Sequence, residues 1–309
     1  MKLIGVEEFG GPENLKAFDV PEPHAGPGEV RIRVRAATVN PTDLLMRQGG
    51  RDTHGAPPPY APGMDAAGVV DEVGEGAPWQ VGDELMAIAL PLSTHGGAYV
   101  EHLVGPWESM TRVPAGADLE AASTLPMNGL TALQILRLLD LAPGSTLAVT
   151  GSAGILGTYL IPLAKLAGLT VIADTAEKDR ELVTSLGADL LVERGEGVAA
   201  RIRAAYPDGV DALADLSVQK QQVVAAVRDG GAFVSVRGWQ GEPERGIRFL
   251  VSLVSTDYRS QEGLVTLRER VEDGALTLRV ADVLPAEQAA DAHRRLDAGG
   301  VRGRIVLAF

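Results

Sequence analysis

The segment at residues 146–157, TLAVTGSAGILG, constrains the fold of this chain more than any other. An apolar run typical of a buried strand passes through a glycine turn directly into a helical pattern at 154–167. Glycine permits the sharp turn, the close packing of helix on strand and the approach of backbone to a phosphate, and the N–H groups that open the helix point at the anion. The spacing is GxxGxxG rather than GxGxxG, so a purely structural turn is the alternative, but the strand before it and the helix after it favour a dinucleotide site. The predicted pyrophosphate-binding residues are Gly151, Ser152, Ala153, Gly154, Ile155, Leu156 and Gly157.

From about residue 120 onward, the hydrophobic pattern alternates between strands and helices. It predicts strands at 146–151, 169–174, 189–193, 210–216 and 231–237, with a sixth near 249–255. Between them it predicts helices at 154–167, 177–186, 196–205 and 219–228. This alternation implies a parallel sheet covered by helices on both faces. A helix at 261–273, a strand at 276–283, a helix at 285–298 and a strand at 303–308 complete the prediction.

The first third of the chain has the pattern of a β domain. Residues 29–36 alternate strictly between polar and apolar side chains, as a strand with one solvated face does. The segments 68–74 and 83–88 follow the same pattern and are separated by glycine turns. We therefore predict a small β domain ahead of the parallel sheet.

Composition excludes several classes of function. The chain has 309 residues and no cysteine, so disulfides, thiolate nucleophiles and cysteine-containing zinc sites are ruled out. Its net charge of −13 disfavours binding to nucleic acid or to an anionic membrane. The acidic start of the chain is unlike a signal peptide, and no apolar stretch approaches the length of a membrane span, so we expect a cytoplasmic protein.

Several stretches together resemble a known family along almost the whole chain. They are TVNPTD at 38–43, PGMDAAGVV at 62–70, GGAYVE at 96–101, LPMNGLTA at 125–132 and GGVRGRIVL at 299–307. With the glycine turn, they resemble the medium-chain dehydrogenase/reductase superfamily and, within it, the zinc-free quinone oxidoreductase branch. The resemblance implies an α/β fold with a GroES-like β domain formed by residues 1–119 and 261–309, and a doubly wound Rossmann-type domain with a parallel sheet at 120–260. It also implies a homodimer joined through edge strands near 249–255.

The resemblance bears directly on metal use. Zinc-dependent relatives hold a catalytic metal with a cysteine, a histidine and a further ligand, whereas this chain has Asn40 and Met64 at the first two positions. An amide and a thioether are poor substitutes for thiolate and imidazole around Zn²⁺. We therefore expect no metal, and alcohol oxidation that depends on zinc is disfavoured. Hydride transfer to a conjugated carbonyl compound or a quinone needs no metal.

The sequence is ambiguous about the nicotinamide coenzyme. Asp174 ends the second predicted strand of the parallel sheet, where an acid suits the ribose 2′-hydroxyl of NAD. Thr175 and Lys178 correspond instead to a hydroxyl and a lysine that hold the 2′-phosphate in NADPH-dependent relatives, and Arg194 to a residue that those relatives place beside the adenosine. Because two cations can outweigh one carboxylate, NADP(H) is favoured and NAD(H) stays open. Lys178 could equally be an ordinary solvated charge.

The resemblance also assigns candidate residues near the nicotinamide and the substrate. The segment Asn40, Pro41, Thr42 and Asp43 lines this region, with Thr131 near the nicotinamide. Asn40 is the candidate for a hydrogen bond to the substrate carbonyl or the ribose, although Asn-Pro is also a common turn former. Asp43 is the candidate for orienting a neighbouring side chain, although an acid in the first turn of a helix commonly interacts with the helix dipole instead. Lys220 matches, within one residue, a lysine proposed as proton donor in enoyl reductase domains, and an exposed lysine is the alternative.

Apolar residues would complete the substrate cleft. The candidates are Leu44, Leu45, Tyr60, Met64 and Met127, and they could equally be core. Many relatives have tyrosine at the position of Leu45. Arg237, Gly238 and Trp239 follow the fifth predicted strand, at the edge where open parallel sheets bind ligands, and are candidates for the coenzyme edge.

Taken together, these features predict a zinc-independent NADP(H)-dependent oxidoreductase. Its substrate would be a quinone or the activated C=C of an α,β-unsaturated carbonyl compound. Two alternatives are an enoyl reductase or tailoring enzyme of a biosynthetic pathway, and a dinucleotide-binding protein without catalysis.

Overall fold

The computed structural model describes residues 1–53 and 55–309. The chain divides into two units. The first comprises Met1–Met127, Tyr258–Gly274 and Leu278–Phe309, and the second comprises Asn128–Asp257 and Ala275–Thr277. Among the described residues, no helix has both the length and the apolar character that crossing a membrane requires.

Strands and helices are numbered here in chain order over the described residues. The strands are β1 (Lys2–Gly5), β2 (Lys16–Asp19), β3 (Glu29–Thr38), β4 (Asp65–Val73), β5 (Glu84–Ile88), β6 (His102–Pro106), β7 (Met110–Arg112), β8 (Thr146–Thr150), β9 (Thr170–Thr175), β10 (Leu190–Glu193), β11 (Val210–Asp215), β12 (Val227–Val236), β13 (Arg248–Ser252), β14 (Val280–Pro285) and β15 (Arg304–Ala308). The α-helices are α1 (Pro41–Arg47), α2 (Leu119–Ala122), α3 (Pro126–Leu139), α4 (Ile155–Leu166), α5 (Arg180–Ser185), α6 (Val198–Ala205), α7 (Gln221–Val224), α8 (Gln261–Glu272) and α9 (Ala289–Asp297). Short 3-10 helices include Glu177–Asp179, directly before α5.

The first unit is built on a seven-stranded sheet in the order β14-β15-β3-β4-β5-β7, with β6 also paired to β3. The β3 strand confirms the alternation predicted from sequence, because Val30, Ile32 and Val34 are buried in the core while the arginines between them face outward. Chain-terminal β15 pairs with β3, so both ends of the chain contribute to this sheet.

The second unit contains a six-stranded, wholly parallel sheet in the order β10-β9-β8-β11-β12-β13. This order places the first and fourth strands of the unit, β8 and β11, side by side, as in a doubly wound dinucleotide-binding fold. The strand order therefore reverses between β8 and β11. In such folds the ligand crevice lies outside the carboxyl ends of the strands at that point.

The predicted bounds of a helix and of two strands differ from the observed ones. The helix predicted at 219–228 is confined to Gln221–Val224, and β12 already begins at Val227, four residues before the predicted strand. Apolar spacing at 223, 224, 226 and 227 suits a helix face, but Val227 is taken into the sheet beside Val210, where the pairing register shifts. The strand predicted at 276–283 is at Val280–Pro285, because its partner β15 is available only from Arg304 onward.

Candidate active site

The glycine turn after β8 has the geometry that close helix packing requires. Gly151 has a φ of 75°, a left-handed conformation that favours glycine. A Cβ atom on Gly157 would lie 2.4 Å from the carbonyl oxygen of Ser152, so only glycine lets α4 pack this closely on the turn. These two glycines bring the start of α4 to the carboxyl end of β8.

The start of α4 is suited to an anion. Gly154 is exposed, serves as the N-cap and supplies no side-chain cap. Ile155 is only 3% exposed, so its side chain packs inward, away from the exposed Gly154. Uncapped N–H groups and the positive end of the helix dipole together favour a phosphate.

Asp174, in β9, is bonded to the glycine turn. Its Oδ1 accepts hydrogen bonds from the N–H groups of Gly151 at 2.7 Å and Ser152 at 3.1 Å. The side chain is 3% exposed, and Oδ2 has no partner among the described residues. Burial raises the pKa of Asp174, while these two donors and the charge of Arg194 oppose that shift. The predicted ribose-binding acid therefore also holds the turn in place.

The other residues predicted to select the coenzyme lie at the ends of β9 and β10. The N–H of Arg194 donates to the carbonyl of Thr175 at 3.0 Å, which brings the ends of these neighbouring strands together. Thr175 is buried and its hydroxyl donates to the carbonyl of Ala176 at 3.0 Å. Lys178 and Arg194 are exposed. The structure thus places Arg194 close enough to Asp174 to lower its pKa, and it leaves Lys178 exposed just after β9.

Lys220, Arg237 and Trp239 lie in the loops that follow β11 and β12. The N–H of Lys220 donates to Oδ2 of Asp215 at 2.6 Å, and its side chain is exposed. Arg237 and Gly238 are exposed, whereas the Trp239 ring packs edge-on against Phe233 at a centroid distance of 5.3 Å. Trp239 therefore contributes to the core of this unit. Thr131, on α3, is also buried.

In the first unit, Asn40 links two buried carboxyl groups. It is the N-cap of α1, and its backbone N–H donates to Oδ2 of Asp43 at 2.7 Å. Its side-chain Nδ2 donates to Oδ2 of Asp65 at 2.7 Å. All three residues are 0% exposed. Asn40, a predicted substrate-binding residue, thus contributes to the local structure around α1.

Both carboxyl groups have strongly shifted pKa values. Burial raises the pKa of Asp43 to about 7, although the N–H of Gly63 at 3.1 Å and the hydroxyl of Tyr99 at 3.3 Å also donate to it. Burial likewise raises the pKa of Asp65 to about 7, against a 2.6 Å hydrogen bond from the N–H of Met127 and the one from Asn40. Desolvation of the charged form outweighs these donors at both residues.

Tyr99 extends this network to α9. Its hydroxyl lies 3.2 Å from Nε2 of His293, and since that hydroxyl donates to Asp43, we assign the imidazole N–H to Nε2. Burial, with the nearby charge of Arg47, lowers the pKa of His293 to about 3, so the imidazole is neutral. Sequence reasoning missed Asp65 and gave His293 no role. The position of Asp65 directly after Met64, in the PGMDAAGVV stretch, was the available signal.

Most apolar residues predicted for the substrate cleft are buried in this structure. Leu44, Met64 and Met127 are nearly inaccessible, and Leu45 is half-buried. Tyr60 is half-buried, stacks on Phe9 at a centroid distance of 5.1 Å and donates to the carbonyl of Ala56 at 2.9 Å. Pro41 and Thr42 are half-buried in the first turn of α1.

Two protein families match different parts of the chain. Residues 26–115 match the alcohol dehydrogenase GroES-like domain, and residues 186–307 match the zinc-binding dehydrogenase family. The chain belongs to the medium-chain dehydrogenase/reductase superfamily. The observed fold is the α/β fold expected for this superfamily, with one GroES-like sheet and one parallel sheet.

Individual members of the superfamily match nearly the whole chain. The chain is 29% identical to a chloroplastic NADPH-dependent alkenal/one oxidoreductase of Arabidopsis thaliana, with 99% of this chain and 79% of that protein covered. It is 27% identical to a quinone oxidoreductase of Sus scrofa, with 99% and 97% covered.

Solved structures of this superfamily share the fold at the same level of identity. A mycobacterial protein complexed with NADPH has a TM-score of 0.87 at 26% identity, with both chains fully covered. An NAD-dependent alcohol dehydrogenase also has a TM-score of 0.87, at 28% identity and with both chains fully covered.

Asn40 and Met64, which stand where zinc-dependent relatives have metal ligands, form other contacts in this chain. The hydroxyl of Thr42 donates to Sδ of Met64 at 3.4 Å, and the amide of Asn40 donates to Asp65. Over residues 1–53 and 55–309, no group of three or more histidine, cysteine, aspartate or glutamate side chains is arranged to hold a metal ion. An amide nitrogen and a thioether do not form a donor set suited to Zn²⁺.

Proposed function

We propose that this protein uses NADPH to reduce a quinone or the activated C=C of an α,β-unsaturated carbonyl compound, without zinc. The observation that carries the proposal is the uncapped start of α4 behind the glycine turn, at the point where the order of the parallel strands reverses. The relatives named above include an NADPH-dependent alkenal/one oxidoreductase and a quinone oxidoreductase, and they support the same chemistry.

The second unit's residues fit a nicotinamide dinucleotide. The N–H groups at the start of α4 would bind the pyrophosphate, and Gly154 leaves that approach open. When bound, the reduced nicotinamide supplies a hydride. This assignment uses backbone donors, which side-chain substitution cannot remove.

We assign the coenzyme as NADP(H) rather than NAD(H). The carboxylate of Asp174 already accepts two hydrogen bonds from the glycine turn, so its charge is partly compensated. Arg194 acts on the pKa of Asp174, Lys178 follows the same strand, and both exposed cations can bind a 2′-phosphate by charge-assisted hydrogen bonds. The structural relative complexed with NADPH supports this choice.

The residues around α1 act by positioning rather than by contact with the reacting atoms. Asn40, Asp43 and Asp65 are fully buried, Asn40 donates to both carboxyl groups, and we propose that the three residues fix the start of α1. Reduction of a conjugated carbonyl compound leaves an enolate, and a quinone leaves a hydroquinone anion. Either anion can take its proton from water, so the reaction needs no acid from this buried group.

Purified protein, dialysed against a chelator and checked for metal content, tests the proposal. When it is mixed with NADPH and a panel of quinones and enones, the absorbance of the reduced nicotinamide should fall. The rate of this fall should be greater with NADPH than with NADH. Loss of turnover on metal removal, or oxidation of simple alcohols only, would overturn it. Tight NADPH binding without turnover of any acceptor would instead favour the non-catalytic alternative. Relatives do not favour the enoyl reductase alternative.

We also propose a homodimer and a cytoplasmic location. The β13 strand is at the edge of the parallel sheet, so its outer side is available for pairing with a second copy. Light scattering coupled to size-exclusion chromatography should give twice the mass of the chain. A monomer would rule this pairing out, and cell fractionation tests the location.

A further inference from the structure

The cations of the second unit are divided into two sets. Eight of its twelve lysine and arginine side chains form hydrogen bonds or ion pairs within the unit, and these are Arg137, Lys165, Arg180, Arg201, Arg203, Arg228, Arg245 and Arg248. The side chains of the other four have no hydrogen bond or ion pair with any described residue, and they are Lys178, Arg194, Lys220 and Arg237.

The four unpaired cations share one location. Each follows the carboxyl end of a strand of the parallel sheet, namely β9, β10, β11 and β12 in turn. The chain has a net charge of −13, and these four cations follow strands of one parallel sheet at the same edge. The proposed coenzyme site accounts for Lys178 and Arg194. Lys220 and Arg237, predicted from sequence as a proton donor and a coenzyme-edge residue, take no part in these phosphate contacts.

Arg237 is held in an unfavourable backbone conformation. Its φ is 66°, which is sterically disfavoured for a residue with a side chain, and Gly238 follows with a φ of 79°. The loop is fixed by a hydrogen bond from the hydroxyl of Ser235 to the carbonyl of Trp239, and by the Trp239 ring between Phe233 and Phe249. Arg237 therefore starts from a rigid support, as a ligand-binding side chain should.

Lys220 lies on the neighbouring loop and has a similar constraint. Its φ is 58°, and its N–H is bonded to Asp215 at the end of β11. Asp215 pairs with Ser235 of β12 in the sheet, so the two loops leave adjacent strand ends. Partial burial lowers the pKa of Arg237, and no carboxylate of the described residues raises it. The guanidinium of Arg237 is therefore available to an anion from outside the chain.

We propose that Arg237, with Lys220 as a second cation, binds a carboxylate on the substrate, so that the preferred acceptor is an anionic α,β-unsaturated carbonyl compound. This inference rests on the proposed function. The planar guanidinium of arginine can bind a carboxylate through two parallel hydrogen bonds. In the reaction, hydride from NADPH adds to the β-carbon, the C=C electron pair moves to the enolate, and water supplies the proton at the α-carbon.

A matched pair of substrates tests the inference. The acid 4-oxo-2-pentenoate and its methyl ester have the same enone and differ in charge. Wild-type enzyme should prefer the acid, and Arg237→Gln should lower kcat/KM for the acid by about 10- to 100-fold, the size of a charge-assisted hydrogen bond. The ester should change by less than about twofold, and Arg237→Lys should keep part of the preference. Arg137→Gln, which removes an exposed charge elsewhere in the same unit, should change neither.

Three results would overturn the inference. The first is an equal loss for acid and ester in Arg237→Gln. The second is a rise in KM for NADPH without any separation of acid from ester, which would place Arg237 in the coenzyme site. The third is a wild-type enzyme that prefers the ester.

Direct binding separates this inference from the proposed function. If no acceptor is turned over, calorimetric titration of the NADP⁺ complex with 4-oxopentanoate, the saturated acid, still tests Arg237. Binding to wild type that is lost in Arg237→Gln would support the anion site although the proposed reaction had failed. Absence of binding to wild type would overturn the inference.

Discussion

Replacing Gly157 by alanine should destabilise the protein by about 2 kcal/mol. The added Cβ would lie 2.4 Å from the carbonyl oxygen of Ser152 and 2.7 Å from its backbone carbons, and none of these atoms can move without moving the glycine turn. Overpacking of this kind costs about 1–3 kcal/mol, and backbone contacts belong at the upper end. The higher helix propensity of alanine offsets about 1 kcal/mol of this cost, which leaves a net loss of about 2 kcal/mol in the free energy of unfolding.

Gly154→Ala is the matched control for Gly157→Ala. Its Cβ would meet only the carbonyl oxygen of Gly151, at 3.2 Å, so its cost in stability should be about 0.5 kcal/mol. Because Gly154 is exposed at the start of α4, the same methyl group should raise the KM for NADPH. Urea denaturation and steady-state kinetics on both variants measure these effects. The proposed backbone clash at position 157 is refuted if Gly157→Ala is as stable as wild type, or if Gly154→Ala is less stable than Gly157→Ala.

Three further predictions concern charged and buried polar residues. Replacing Lys178 and Arg194 together by alanine should raise the KM for NADPH by about 10- to 100-fold and leave that for NADH nearly unchanged, and equal effects on both coenzymes would contradict the NADP(H) assignment. The pKa of Asp43 is raised from 3.8 to about 7, so its contribution to stability is fully present below about pH 4 and is lost as the pH rises through about 7. Relative to Asp43→Asn, wild type should thus lose up to about 1.4 kcal/mol per pH unit across that window in urea denaturation, and a constant difference would show that Asp43 is ionised throughout. Asn40→Ala removes a donor from buried Asp65 and should cost about 1–3 kcal/mol in the same assay, whereas unchanged stability would show that this link is not structural.

Periodicity predicted the parallel sheet well because each strand is decided by local sequence. Strands β8 to β11 begin and end within about one residue of the predicted positions, since each is a short apolar run bounded by turns. The predicted start of β12 was wrong because the apolar residues at 223–227 fit both a helix face and a strand. Only the pairing of Val227 with Val210 decides between the two structures. Tertiary context settles what local pattern leaves ambiguous.

Different parts of the candidate site were accessible from sequence to different degrees. The glycine turn is contiguous, so its spacing and flanking elements sufficed to predict it. The hydrogen bonds from Gly151 and Ser152 to Asp174 join neighbouring strands, and periodicity says nothing about which side chain bonds a turn. The contact between Tyr99 and His293 joins residues 194 positions apart, and no local signal predicts it.

The position of the unpaired cations has a consequence for how fast the coenzyme is captured. At long range the net charge of −13 repels a polyphosphate, whereas the unpaired cations attract it only within about a Debye length, roughly 8 Å in physiological salt. Moderate ionic strength should therefore ease diffusional encounter by screening the overall repulsion, while high ionic strength weakens the local attraction. The association rate should pass through a maximum as salt is added, instead of falling steadily as it does for a uniformly basic site.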